Sequence, residues 1–174
     1  GPAGMECARV LGERGYDVCV NYTASADRAE AVAQDIRSHG QSAIAVQADV
    51  SKPDDIERLF AETDEGLGKV DVLVNNAAIS IEVAIADVDV DIMRSQIDTN
   101  LLGPMLTTRQ AIRRMGTSRG GKGGVIVNIS SISALYGGLP TDVVYAGTKG
   151  GLDAFTIGIA KEVAPDGIRV CGIR

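Results

Sequence analysis

The stretch AIAVQADVSKPDDIERLF, residues 43 to 60, joins two kinds of pattern in eighteen residues. Ala43 to Gln47 is a short apolar run, too brief for a stable helix and bounded by polar residues, and it predicts a buried strand. The helix signals follow at once. Ser51 is placed to cap, Pro53 takes an early helical position, and Asp54 and Asp55 suit the positive end of a helix dipole, so a helix is predicted over Pro53 to Glu65. A strand passing directly into a helix is half of a crossover unit, which predicts a parallel sheet if the pattern recurs.

It recurs in both directions along the chain. Further strands are predicted at Asp17 to Asn21, Val70 to Val74, Val125 to Ile129 and Ile168 to Gly172, all rich in Val and Ile. Between them lie helical patterns at Met5 to Arg14, Ser25 to Ser38, roughly Ile92 to Met115, and Val144 to Val163. The expected fold is therefore α/β, a doubly wound parallel sheet in a single domain over residues 1 to 174. TSRGGKGG (117 to 124) reads as a flexible loop.

Composition narrows the function. The chain is 45% hydrophobic and 23% charged, with a net charge of −6 and no long basic run, which argues against nucleic-acid or anionic-membrane partners. Cys7, Cys19 and Cys171 are odd in number and scattered, so neither a disulfide framework nor a metal site is implied, and a reducing, cytoplasmic setting is expected. No apolar run reaches the length of a membrane span.

Ligands of such sheets bind at the carboxyl ends of the strands. Three strand ends carry suitable groups: Asp49 and Val50 after the second strand, NNAAIS (75 to 80) after the third, and SSIS (130 to 133) after the fourth. The following helix opens with VVYAGTKGG (143 to 151), where Tyr145 and Lys149 fall one turn apart on a shared face. A phenol and an ammonium side by side can serve to take or give a proton. A phenol has a reference pKa of about 10, so work at neutral pH asks its site for about 4 kcal/mol in favour of phenolate. An ammonium one turn away supplies part of that in a low-dielectric cleft.

In their order and spacing these residues resemble the short-chain dehydrogenase/reductase family over essentially the whole chain, close to glucose-dehydrogenase-like and acyl-carrier-protein-reductase-like members. The family's Tyr-x-x-x-Lys matches Tyr145 and Lys149, its serine after the fifth strand matches Ser131, and its helix asparagine matches Asn100 in DTNLLG. NNAA (75 to 78) looks like its Asn-Asn-Ala-Gly, and ADV (48 to 50) like its Asp-Val beneath the adenine. The resemblance implies an NAD(P)-dependent oxidoreductase with Tyr145 as acid/base and Lys149 holding the nicotinamide ribose. It assigns Ser131 to the substrate oxygen and Asn100 to ordering a water that leads from Lys149. Gly4, Asp49, Val50, Asn76, Ala77, Tyr145 and Lys149 would line the cofactor, and no metal is implied.

Alternatives stand beside this reading. Ser130 and Ser133 rival Ser131, Asn100 also suits a tie across a helix kink, and Asn75 and Asn76 suit ties to neighbouring backbone. His39 reads as a helix-terminal surface residue, and Tyr22 and Tyr136 as packing or rim residues. A non-catalytic nucleotide sensor or scaffold, or a sugar-nucleotide epimerase or dehydratase, would use the same fold. VNYTASADR (20 to 28) lacks an acid at the strand end and offers Asn21, Tyr22, Thr23, Ser25 and Arg28, so NADP is expected over NAD, with NAD possible. Val144, Leu152, Phe155, Ile159 and Val163 suggest an apolar helix face, and the family implies a homodimer or homotetramer. The substrate is expected to be a small carbonyl compound or alcohol.

Two departures matter. Ala78 stands where the family has glycine, and at the start Gly4 aligns with the last glycine of the family's first turn while Pro2 takes the place of the middle one, unless an insertion makes Gly1 that glycine. The family's first strand and a final strand are not in this sequence, so a gap in the sheet, or a borrowed strand, is expected between Asp17 to Asn21 and Val70 to Val74.

Overall fold

The computed structural model describes residues 1 to 174, which form two compact units, Gly1–Lys69 and Val70–Arg174. In the first, α1 (Pro2–Glu13) leads to β1 (Val18–Tyr22), α2 (Ala26–Ser38), β2 (Ala43–Gln47) and α3 (Pro53–Leu67). β1 and β2 are parallel, Val18 opposite Ala43 and Tyr22 opposite Gln47. Strand side chains alternate between faces. One face, with Val18, Val20, Ala43 and Ala45, packs with Ala8 of α1 and Val32, Ala33 and Ile36 of α2. On the other, Ile44 meets Gly66 of α3, and Ile56, Leu59 and Phe60 on that helix are buried.

The second unit runs β3 (Val72–Asn75), α4 (Val90–Ile97), a π turn (Asp98–Leu102), α5 (Gly103–Met115), β4 (Gly124–Ile129), α6 (Ser133–Tyr136), α7 (Val143–Val163) and β5 (Ile168–Ile173). Its parallel sheet has the order β3-β4-β5, with Asn75 opposite Asn128 and Ile129 opposite Ile173. The α/β class and the five predicted strands agree with this structure to within two residues at each end. β1 pairs only with β2 and β3 only with β4, so the strands flanking the expected gap are not bonded to each other.

Four expectations need correction. The long fourth helix is interrupted: within residues 98 to 102 the Gly103 N–H donates to the Asp98 carbonyl, five residues back. Pro104 explains this, because it has no N–H to give the Asn100 carbonyl and its ring crowds the preceding turn. Ser51 does not cap α3; Lys52 holds that position, and the Ser51 hydroxyl donates instead to Asp49 Oδ1 at 2.7 Å. In 117 to 124, Gly121 and Gly123 serve close packing: a Cβ on Gly121 would overlap the Met115 carbonyl, and one on Gly123 the Gly167 carbonyl, whereas Gly120 meets nothing and takes a left-handed turn. Leu152 and Val163 are buried within their own unit, leaving Ile157 and Val143 as the exposed large apolar residues of α7. No helix is long and apolar enough to cross a membrane.

Candidate active site

The candidate catalytic residues lie in the second unit. α7 begins at Val143, so Tyr145 sits in its first turn and Lys149 one turn on, as their spacing predicts. Tyr145 is half-buried, whereas Lys149 is 2% exposed and lies with its Nζ 5.6 Å from the Tyr145 ring centroid. The ammonium donates to the Ile129 carbonyl at 2.7 Å, at the end of β4. Burial pushes its pKa below the ordinary 10.5, against the opposing pull of Asp153.

The serines after β4 separate by environment. The Ser131 oxygen accepts the Ser133 N–H at 3.1 Å, just before the short α6, and its residue is half-buried. Ser130 is buried, its hydroxyl donating to the Lys149 carbonyl at 3.4 Å, and Ser133 is buried as well. Of the three, Ser131 keeps the most open hydroxyl.

Asn100, fully buried in the π turn, grips Ile79 from both sides: its Oδ1 accepts the Ile79 N–H and its Nδ2 donates to the Ile79 carbonyl, each at 2.8 Å. Nδ2 also donates to Thr148 Oγ1 at 3.2 Å, beside Lys149. Its side chain is thus a tie, and its backbone carbonyl is the one Pro104 leaves without an α-helical donor. Asn75 is a tie too. Thr107 Oγ1 donates to its Oδ1 at 2.6 Å, its Nδ2 donates to Asn128 Oδ1 at 2.9 Å, and Asn128 Nδ2 donates to Thr156 Oγ1 at 2.8 Å. This chain of amides and hydroxyls joins α5, β3, β4 and α7. Asn76 is half-buried and Ala77 and Ala78 are exposed in the loop that follows.

The remaining candidates lie in the first unit. Gly4 falls in the first turn of α1, which starts at Pro2. Asp49 follows β2; its Oδ1 accepts the Ser51 N–H at 3.0 Å and its own N–H donates to Asp55 Oδ2 at 2.8 Å. That N–H and Arg58 hold the Asp55 carboxyl below the usual range. Val50 is buried. At the end of β1, Asn21 Nδ2 donates to the Ala48 carbonyl at 2.9 Å, and beyond it Ala24, Ser25, Ala26, Asp27 and Arg28 line a depression of about 290 Å³. Ser25 begins α2 without using its hydroxyl as a cap. His39 is exposed at the end of α2, its Nδ1 2.9 Å from the Asp35 carbonyl.

Several polar residues around the site carried no sequence signal that was used: Gln96, Thr107, Asn128, Asp142, Thr148 and Thr156, all buried. For Gln96 there was one, since SQIDTN sets its amide four residues before Asn100, one helical turn away.

Comparison with known proteins gives the family and the fold. The family described as short chain dehydrogenase matches residues 3–174. The chain is 35% identical over 172 residues to the uncharacterized oxidoreductase YgfF of Escherichia coli, covering 98% of this chain and 70% of that protein. It is 35% identical over 167 residues to a 3-oxoacyl-[acyl-carrier-protein] reductase of Synechocystis, covering 96% and 66%. Among solved structures, a short chain dehydrogenase of Burkholderia cenocepacia in complex with NADP superposes with a TM-score of 0.89 at 31% identity, covering 98% of this chain and 66% of that one. The chain thus spans about two thirds of the length of these relatives. With its parallel strands, its Tyr145–Lys149 turn and a family match over nearly every residue, the chain belongs to the short chain dehydrogenase family.

Proposed function

We propose that this protein is an oxidoreductase that moves hydride between NADP and a carbonyl compound or secondary alcohol, with Tyr145 as acid and base. The observation that carries it is the half-buried Tyr145 ring 5.6 Å from a buried Lys149 ammonium. A buried cation favours the anionic form of a neighbouring phenol far more than an exposed one does. The donor set fits a nicotinamide dinucleotide. Lys149 commits one of its three N–H donors to Ile129, leaving two for ribose hydroxyls. Ser25 and Arg28 offer a hydroxyl and a guanidinium for a 2′-phosphate, although Asp27 shares their depression.

The bound nicotinamide supplies hydride exchange with the substrate carbon. Tyr145 gives its proton to the carbonyl oxygen in reduction and takes it back from the hydroxyl in oxidation. Ser131 donates to the same oxygen while its lone pair stays with the Ser133 N–H. The Asn100 carbonyl holds a water through which Lys149 exchanges protons with solvent. In the first unit Gly4 at the start of α1 and Asp49 and Val50 after β2 are assigned to cofactor binding, and in the second unit Asn76 and Ala77 after β3. The 3-oxoacyl reductases among the relatives support a 3-oxo ester or thioester as substrate. Exposed Val90 and Ile97 on α4, Leu102 in the π turn and Ile157 on α7 support a homodimer or homotetramer, and three free cysteines a cytoplasmic setting.

The test is Tyr145→Phe, which keeps the ring and removes the proton. Reduction of ethyl acetoacetate, followed with NADPH and with NADH, should fall about a thousand-fold. Dinucleotide affinity should stay within a few-fold. Substantial turnover in the variant would overturn the acid/base role, and an equal or higher kcat/KM with NADH would overturn the NADP preference.

A further inference from the structure

Residues 79 to 83 form an extended strap with an unusual set of fastenings. On one side, two side-chain amides one helical turn apart take the place of a neighbouring strand: Asn100 bonds the Ile79 N–H and carbonyl, and Gln96 accepts the Ile81 N–H at 3.2 Å and donates to its carbonyl at 3.5 Å. Alternate strand residues repeat every 6.6 to 6.8 Å, and four helical residues rise about 6 Å, so the two ladders match. On the other side, the Val83 N–H donates to the Thr141 carbonyl at 2.9 Å and the Ser80 hydroxyl to Asp142 Oδ1 at 2.7 Å.

Asp142 is the informative partner. It is the residue before α7, where an aspartate ordinarily caps the helix with its own carboxylate, yet it makes no such cap. It is 9% exposed, and its carboxylate is turned to Ser80 instead. Tyr145 is three residues further on, in a first turn whose opening bond is Ala146 N–H to the Asp142 carbonyl at 3.0 Å. That turn has no side-chain cap of its own, so the strap holds it.

We infer that the Ser80–Asp142 hydrogen bond positions Tyr145, making Ser80 and Asp142 positioning residues for the reaction proposed above, on which this inference rests. Lys149 is fixed separately, by burial and by Ile129. Loosening the strap therefore displaces the phenol while sparing the lysine. A misplacement of about 1 Å can cost a hundred-fold in rate.

The experiment compares Ser80→Ala, Ser80→Thr, Asp142→Asn and Asp142→Ala in the same protein by amide hydrogen exchange and by ethyl acetoacetate reduction with NADPH. Exchange at Val83 and Ala146 should rise in both alanine variants and stay at the wild-type rate in Ser80→Thr and Asp142→Asn, which keep a donor and an acceptor. Where exchange rises, kcat should fall about ten-fold or more, with KM for NADPH within two-fold. Unchanged exchange in the alanine variants would overturn the latch, and faster exchange with unchanged kcat would overturn the positioning role. If the wild-type protein or Tyr145→Phe contradicts the acid/base reading, exchange at Ala146 still decides whether Ser80 holds the first turn of α7.

Discussion

The two units bury different chemistry. In residues 1 to 69 every buried side chain is apolar, from Ala8 and Val18 to Ile56 and Phe60. In residues 70 to 174 the buried set includes Asn75, Gln96, Asn100, Thr107, Asn128, Asp142, Lys149 and Thr156, alongside Ile126, Leu152 and Ile168. An apolar interior is specified by volume, whereas an interior of amides and hydroxyls is specified by which donor meets which acceptor. The second kind is costly to disturb, because a buried group left without a partner loses its hydration and gains nothing. The unit that carries Tyr145 and Lys149 has accepted that liability. In return its side chains are fixed in direction as well as in place.

The contrast is testable through the way defects are repaired. Asn75→Leu takes the donor from Asn128 Oδ1, while the Thr107 hydroxyl keeps the Gly103 and Pro104 carbonyls, and Asn128→Leu takes the 2.9 Å acceptor from Asn75 Nδ2, while the Thr156 hydroxyl keeps the Leu152 carbonyl; each should cost about 2 kcal/mol in urea unfolding. The double variant should be at least about 1 kcal/mol better than the sum, because the two share a bond. Strict additivity would show that the amide chain is not a unit.

In the first unit, repair should follow size. A Cβ on Gly12 would lie 2.8 Å from Ile36 Cγ2 and 2.9 Å from its Cγ1, so Gly12→Ala should cost about 2 kcal/mol by overpacking, and Ile36→Ala about 3 kcal/mol by itself. Combined, the loss should fall below the sum, because Ile36→Ala removes both γ carbons that the new Cβ would meet. A double variant as unstable as the sum would mean the contact is relieved elsewhere.

The smallest effect is a pH dependence. Burial lowers the Lys149 pKa in the folded protein below the 10.5 of the unfolded chain, so the folded state sheds this proton first. The cost of burying the charge is fully present below the lowered value and is relieved as pH rises from there towards 10.5. Stability of the wild type relative to Lys149→Met should therefore be flat below the lowered value and climb from there towards 10.5. A difference that stays flat throughout would place the ammonium in a better-solvated setting.

How much of this was legible follows from the same contrast. Parallel strands advertise themselves as apolar runs, and β2 was predicted to the residue at Ala43–Gln47. Tyr145 and Lys149 were legible because a helix converts spacing into proximity. Asn128 and Asp142 were not, since a single polar residue looks the same whether it faces water or a partner far along the chain. Ser51 failed as a cap for a related reason: Asp49, two residues earlier, competes for its hydroxyl. For Leu152 and Val163, periodicity reports that a face is apolar, not what covers it.

The π turn at Asp98–Leu102 has a consequence for sequence length. It holds one residue more than an α-helical turn would, so α4 and α5 are out of phase by roughly 100°, the rotation of one residue. Removing a single residue there would turn α4 against α5 by that angle and swing Gln96 away from Ile81, while Pro104 would still bar one regular helix. Asn100 apart, the segment should thus tolerate exchanges of residue type better than any change in their number, and deleting Asp98 or Thr99 should undo the strap without removing either amide that fastens it.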